Sequence, residues 1–518
     1  MLERRRKDPT ITIKQSWEGS ADKLERFWED TSAQTIAEGP EFENWWTWLK
    51  YTNGWLNWIN PLHGSLRNSN TSLEAARRHY SVKQIKETGT QNVFSLSSVD
   101  ADTKFFDEMP DNPSWCWPHY SNEPLKNIVK SGIYWNDGGV PIKTKIESGE
   151  PRLLVVSIDV EAGATVTFDT YGMVQKDANN KIAKNERGEI EYTYQAEYYD
   201  SEGKLIIKYP DGIKADHIIA SASVPINYPY ATFTAERENT KKELPRFFWD
   251  GQYISSTPLR ELINAHQKFW TDRTDSKYLD YKLFRSSDGK GKNKVVPDLD
   301  VYVANVWPTE EAGAPSDHDG QLDRKNDITF HDKTEYEEKV SNLVSDYLDL
   351  TWSLLELLKK KGITEKEFDE VFSKKGVSKS RKGIRRQYKE IINGGFGLRR
   401  VVRIEKTNDP DAISEAWCDY SKKTISRLYD QGKKDTLKAL LKSLQDAIDQ
   451  RVESTDAKGR LNGHLTKAKQ ALSQSYDLSY YDNVWIHLDN FVNAVNAFET
   501  KGKADVGLNS EQASILRP

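Results

Sequence analysis

Residues 152–170 read RLLVVSIDVEAGATVTFDT. The run from Arg152 to Val160 is continuous and rich in β-branched residues, without the polar alternation of a strand that has one wet face. It predicts a central strand buried on both sides. The following ATVTFDTY alternates instead, as a half-buried strand should. Further along, EYTYQAEYYD (191–200) and KLIIKYP (204–210) extend the pattern between Asn, Gly and Asp turns, which gives a meander with KNERGE (184–189) as an exposed hairpin tip.

The next segment, DGIKADHIIASASVPINYPY, predicts a short strand at His217 to Ala220. A run of small residues follows, Ala220 to Ser223, ending at Pro225, and small side chains let backbones approach closely. Then comes RFFWDGQYISSTPL (Arg246 to Leu259). A strand of Phe247, Phe248 and Trp249 buries its aromatics, and Asp250 with Gly251 behind it sits where strand ends deliver side chains to sites. Asp-Gly is also ordinary turn chemistry. The helix LRELINAHQKFW places Leu259, Leu262, Ile263 and His266 on one face, with His266 as a partly buried helix histidine. DLDVYVANVWP (298–308) reads as another buried strand. The polar text after it holds Asp317, Asp319 and Asp323, but no closing Glu completes a calcium loop, so it reads as a solvated or site-lining loop. Amphipathic helices begin near Glu335, with one strand, RRVVRIE (399–405), before helices over Ser414–Ile448 and Leu461–Phe498.

Composition narrows the function. Lys and Arg number 74 against 79 Asp and Glu, so no global positive excess argues for nucleic acid. Cys116 and Cys418 fit neither a metal-site spacing nor a disulfide framework, which suggests a reducing, cytoplasmic setting. The basic start MLERRRKDPTITIK is followed by no apolar stretch, and no window reaches 18 apolar residues. The 16 Trp and 24 Tyr fill a core in the simpler reading, with peripheral membrane contact as the alternative. In FENWWTWLKYTNGWLNWI (42–59), Trp45, Trp48, Leu49, Thr52, Trp55, Leu56 and Ile59 recur at helical spacing. An interfacial helix would carry several cations on its polar face; this one has only Lys50, which favours a buried or lid-like helix. The expected division is a helical and loop-rich part (1–150), an α/β core (151–333) and a mainly helical region (334–518).

Together, IIASASVP, a gap, an aromatic strand ending in Asp-Gly, and Ser-Thr-Pro-Leu resemble the C-terminal half of a patatin-like phospholipase domain. RLLVVSIDVEAGATVTFDT is similar to that family's central strand pair, and DHDGQLDRKNDITFHDKT to a stretch after its last core strand, so the likeness spans roughly residues 17–350. It implies an incomplete three-layer α/β/α core with a helical C-terminal extension. It also implies a Ser-Asp dyad without cofactor or metal, in which Asp250 is the catalytic carboxylate and Gly251, Ser221, Ser223 and Pro225 line the site. The substrate class would be a lipid or other acyl ester.

The chain departs from the family at the nucleophile. No Ser or Cys has glycine two positions away on both sides, as a nucleophile elbow requires; Ser378 and Ser287 each have glycine on one side only. GGFGLRR (394–400) resembles an oxyanion segment but lies on the wrong side of the domain. At the dyad the third residue is Gln252, not glycine. Asp137-Gly138-Gly139 copies the Asp-Gly-Gly motif more literally, yet it precedes the strands that should come before the site and lacks Thr-Pro-Leu. The expectation is therefore the C-terminal part of a lipid acyl hydrolase, inactive alone, whose nucleophile belongs to a separately encoded N-terminal segment. The chain reads as though it begins inside a domain, as a truncated or split gene would. The alternative is a non-catalytic lipid-binding or scaffolding protein derived from the same fold.

Overall fold

A computed structural model describes residues 19–51, 72–90, 92–96, 120–131, 140–144, 150–177, 181–272, 296–379, 385–388, 396–451, 455–474 and 488. Asp137, Cys116 and the stretch from Thr52 to Ile59 lie outside these residues. The chain is mixed α/β and divides into two compact units. The first comprises Met1–Ile36, Tyr80–Asp300 and Asp332–Arg400; the second comprises Ala37–His79, Val301–His331 and Val401–Pro518.

The first unit is built on a six-stranded sheet. Its strands are β1 (Leu154–Asp159), β2 (Ala164–Asp169), β3 (Gln195–Asp200), β4 (Gly203–Lys208), β5 (Ala231–Arg237) and β6 (Glu243–Asp250), in spatial order β2-β1-β6-β5-β4-β3. Every pairing is antiparallel. The edge strands β2 and β3 come back into contact, so the sheet curls. β1 lies inside it with Val155, Val156 and Ile158 all buried, as the β-branched run predicts. KNERGE forms the hairpin tip, with Lys184 bridging Ile190 and Gly188 at φ +77° in the left-handed region glycine favours.

Phe168, Leu205, Ile207 and Phe248 fill the core cluster, joined by Ala220. Ala220 belongs to a helix, Ala215–Ala220, where the sequence suggested a strand. Four apolar or aromatic residues in a row do not separate the two periods. Here the Lys214 N–H donates to His217 Nδ1 at 2.8 Å, which starts a helical turn, and the imidazole stacks on Phe233 with ring centres 4.9 Å apart. Burial pushes the His217 pKa down to about 4, so the ring is neutral and free to accept that bond.

One buried ion pair fixes the central register. Asp159 is fully buried and accepts from Arg246 Nε at 2.7 Å, from Arg246 Nη2 at 2.8 Å and from the Tyr198 hydroxyl at 2.6 Å. Arg246 Nη1 also reaches Glu161 at 2.5 Å. The bonds tie β1, β3 and β6 together, and Phe248 stands opposite Asp159 in the ladder. Burial, reinforced by Asp159, raises the Tyr198 pKa, so its hydroxyl remains a donor.

The strand β7 (Leu299–Asn305), which belongs to the second unit from Val301 on, pairs with β8 (Leu398–Glu405) and buries one side only: Val301, Val303 and Asn305. The reading of DLDVYVANVWP as a buried strand holds for one face only. The polar text after it is a helix, His318–Phe330, not a loop. Asp317 caps it, accepting from the Gly320 N–H at 2.8 Å. Asp319 accepts from the Ser414 hydroxyl and lies 3.4 Å from His79, so its carboxylate is committed to local contacts. Arg78, buried, joins Asp409 at 2.9 Å and Asp419 at 3.0 Å and donates to the Asp411 carbonyl at 2.8 Å. In the aromatic helix Pro40–Tyr51, Phe42 and Trp46 are the buried pair, while Trp45 and Trp48 are 39% and 48% exposed. The face chosen from spacing is thus the outer one, because Phe42 and Trp46, one turn apart, pack with Ala37 and Ala76.

The Asp159 anchor gives a stability prediction. Arg246→Ala leaves a buried carboxylate without its cation and should cost about 3–5 kcal/mol in urea unfolding. Tyr198→Phe, which removes one hydrogen bond, should cost only about 1–2 kcal/mol. A loss below 1 kcal/mol for Arg246→Ala would show that the pair does not hold the sheet.

Candidate functional site

Asp250 is the last residue of β6. Its neighbours are set by the ladder, which places it directly opposite Ser157 of β1, and opposed residues of an antiparallel pair project to the same face. Its N–H donates to the Ser223 carbonyl at 3.0 Å. That bond joins the small-residue segment to the Asp-Gly corner, which are 27 positions apart in sequence. The Ser223 side chain is buried, donates to the Ile219 carbonyl at 2.8 Å and accepts from Asn122 Nδ2 at 3.3 Å.

Gly251 is required by space. A Cβ built there would lie 2.4 Å from the Val156 carbonyl oxygen, a backbone atom of the neighbouring strand. The chain then turns into a short helix, Gln252–Ser255, whose first N–H donates to Asp250 Oδ1 at 2.9 Å. This is the one hydrogen bond to the carboxylate among the described residues. Burial pushes the Asp250 pKa up to about 6, with the Gln252 N–H pulling the other way. Among the described residues no cation offsets the burial. The carboxylate is therefore a partly desolvated base whose protonation changes near neutral pH, which suits acceptance of a proton from a hydroxyl.

Of the other residues expected here, Ser221 closes the Ala215–Ala220 helix, its N–H bonded to the Ile218 carbonyl at 3.1 Å. Pro225 sits half-buried in the turn after Ser223. Among the described residues no hydrogen bond joins either to Asp250 or Gly251. Directly after Pro225, Ile226 adopts φ +71° while 63% exposed. A β-branched residue in the left-handed region is strained, and such strain concentrates at functional sites.

Sequence reasoning missed two neighbours, Ser157 and Tyr253. Ser157 is fully buried and its hydroxyl has no hydrogen-bond partner among the described residues, and the same holds for the buried Nε1 of Trp249. A serine inside the apolar run VVSID was the available signal, since a buried hydroxyl normally finds a partner. Tyr253 stands near enough to Asp250 for the carboxylate charge to raise its pKa, after the larger effect of burial. Ser157 is no nucleophile itself: it lies in mid-strand, away from solvent, and not on a strand-to-helix turn.

His266, expected to be an ordinary helix histidine, meets the Pro297 carbonyl at 2.8 Å and packs edge-on against Phe396. It has no part in this site. Among the described residues no helix is long and apolar enough to cross a membrane, and no cluster of His, Cys, Asp and Glu is placed to hold a metal ion. No protein-family model, curated protein or solved structure matches the chain.

Two measurements test the geometry. Asp250→Asn removes a charge that burial disfavours, so it should stabilise the protein at pH 7.5 by roughly 1–2 kcal/mol. The sign follows from a pKa raised in the folded state: the cost of folding with the charged form vanishes below the unfolded value near 4 and is complete above about 6. The gain should therefore shrink as the pH falls from 7.5 towards 4, and a pH-independent gain would contradict it. Gly251→Ala should destabilise by about 1–3 kcal/mol through the overlap with Val156. Gly463→Ala is the control, because a Cβ there meets nothing within 4 Å and alanine favours the helix, so it should be neutral or stabilising.

Proposed function

We propose that this chain carries the aspartate half of a patatin-like lipid acyl hydrolase site. In this reading Asp250 accepts the proton of a serine that lies outside these 518 residues. The single observation that supports it most is the Asp250 N–H bond to the Ser223 carbonyl, which unites the two motif segments beside a desolvated carboxylate.

The chemistry divides between the parts. The serine hydroxyl attacks the acyl carbonyl while its proton passes to Asp250, giving a covalent acyl-enzyme; the same carboxyl then returns a proton to the leaving alcohol. Water hydrolyses the ester intermediate in a second round. Gly251 brings the Asp250 backbone close to β1, and Ser223 with Asn122 holds the preceding segment in place. The chain alone offers no glycine-flanked serine, so on this reading it has no esterase activity by itself. The substrate is a lipid or other acyl ester, met in the cytoplasm or at a membrane periphery.

Hydrolysis of p-nitrophenyl acyl esters tests the proposal. The chain alone should be inert and should not be labelled by a serine-directed phosphonate. Co-expression with an upstream-encoded segment carrying Gly-x-Ser-x-Gly should produce activity, and Asp250→Asn should then lower kcat by about 10²–10⁴-fold. Stoichiometric labelling of the chain alone would place the nucleophile within it. An Asp250→Asn complex as fast as the parent would remove Asp250 from the reaction and favour a non-catalytic lipid-binding role.

A further inference from the structure

The second unit contains a cavity of about 870 Å³ between the ends of β7 and β8 and the helix Lys422–Arg451. Its walls are mainly apolar, with Ala304, Val306, Ile404, Leu428 and Leu437 among them. The volume falls in the range of sites that enclose a small organic ligand. Two features of the lining have no explanation in the packing of the unit itself.

The first is Lys406, which follows β8 and lines the cavity. Its backbone N–H is bonded to the Asn305 carbonyl at 3.0 Å, but its side chain has no hydrogen bond or ion pair with any described residue. Burial lowers its pKa and Arg78 adds to the effect, while Asp323, Asp409 and Asp327 act in the opposite sense from beyond salt-bridge distance. Asp323, the strongest of the three, is itself disfavoured as a charge, burial raising its pKa to about 7; Asp409 is held by Arg78 and Arg427, and Asp327 lies 3.7 Å from Arg324. Asp435, the carboxylate in the lining, accepts from the Thr407 N–H at 3.0 Å, the Thr407 hydroxyl at 2.5 Å and Gln431 at 2.9 Å. A cation withdrawn from water beside apolar walls, with no direct partner, is costly unless something pairs with it.

The second feature is Gly432, in the interior of the long helix and in the cavity wall. Glycine weakens a helix interior relative to alanine. A Cβ at this position would meet nothing within 4 Å, so no neighbour demands its absence. Its missing side chain leaves this part of the cavity wall as bare backbone. Lys433 beside it holds its ammonium 4.0 Å from the centre of the Tyr429 ring, adding a second cation to the lining.

We infer that this cavity binds a single-chain amphiphilic carboxylate of the fatty-acid type, its tail along the apolar wall and its carboxylate on Lys406. Charge complementarity commits the occupant, because a neutral apolar ligand leaves the lysine unpaired. The inference rests on the second unit alone and is independent of the acyl-hydrolase reading.

The test is fluorescence titration of the whole chain with cis-parinaric acid, followed by displacement with dodecanoate, dodecanol or dodecyl phosphate. Saturable one-to-one binding in the micromolar range is expected, with dodecanoate displacing better than either other compound. Lys406→Met keeps the length and removes the charge; it should weaken dodecanoate at least tenfold and leave dodecanol unchanged. Gly432→Phe should fill the cavity and abolish binding of both with an unaltered circular-dichroism spectrum. Absence of saturable binding overturns the inference, as does full carboxylate affinity in either folded variant. Equal displacement by dodecanol, or stronger displacement by dodecyl phosphate, overturns the carboxylate assignment.

Discussion

The guanidinium of Arg246 on the carboxylate of Asp159 is the constraint from which the geometry of the first unit follows. Both groups are buried, so neither has water as an alternative, and the pair is satisfied in one alignment of β6 against β1. A shift by one residue would turn every side chain of β6 to the opposite face and leave both charges unpaired. With the alignment fixed, Phe248 enters the core, Asp250 stands opposite Ser157, and Gly251 passes under the Val156 carbonyl. Local sequence and long-range pairing thus meet at the Asp-Gly corner.

The strand text was legible because its signals are local. Residues 154–159 are rich in β-branched side chains, with Val155, Val156 and Ile158, and 164–169 and 195–208 carry turn residues at the breaks. The end of β6 at Asp250 could likewise be read from the aromatic run stopping at an acidic residue. The errors came where tertiary contacts decide. His217 to Ala220 is helical because the turn packs into the sheet and its imidazole caps the start. Asp319 and Asp323 lie on a helix that Asp317 caps, a role that three aspartates in polar text do not distinguish from ligation of a metal ion. In the aromatic helix, spacing identified a face but not its direction, and that was decided by packing against Ala37 and Ala76. Ser157 was hidden by the same β-branched run that revealed its strand.

Both units keep charge where burial disfavours it, in different ways. Asp159 and Arg78 are saturated with partners and serve as fixed points. Asp250 has one backbone N–H, and Lys406 has no direct partner among the described residues. Groups of the first kind specify structure. Groups of the second kind are destabilising in the free protein, and such residues are candidates for function. This contrast separates the proposed sites from the scaffold that holds them.

Asp250 is a partly desolvated carboxylate with no cation beside it among the described residues, and the most direct measurement is its own titration. Carbon-13 NMR of the aspartate carboxyl groups, with the Asp250 signal assigned by its loss in Asp250→Asn, gives the midpoint without requiring a substrate or a second segment. The account predicts a midpoint near the value of about 6 that burial sets. A midpoint at or below the ordinary aspartate value near 4 would mean that the group is solvated or paired, and would contradict the account.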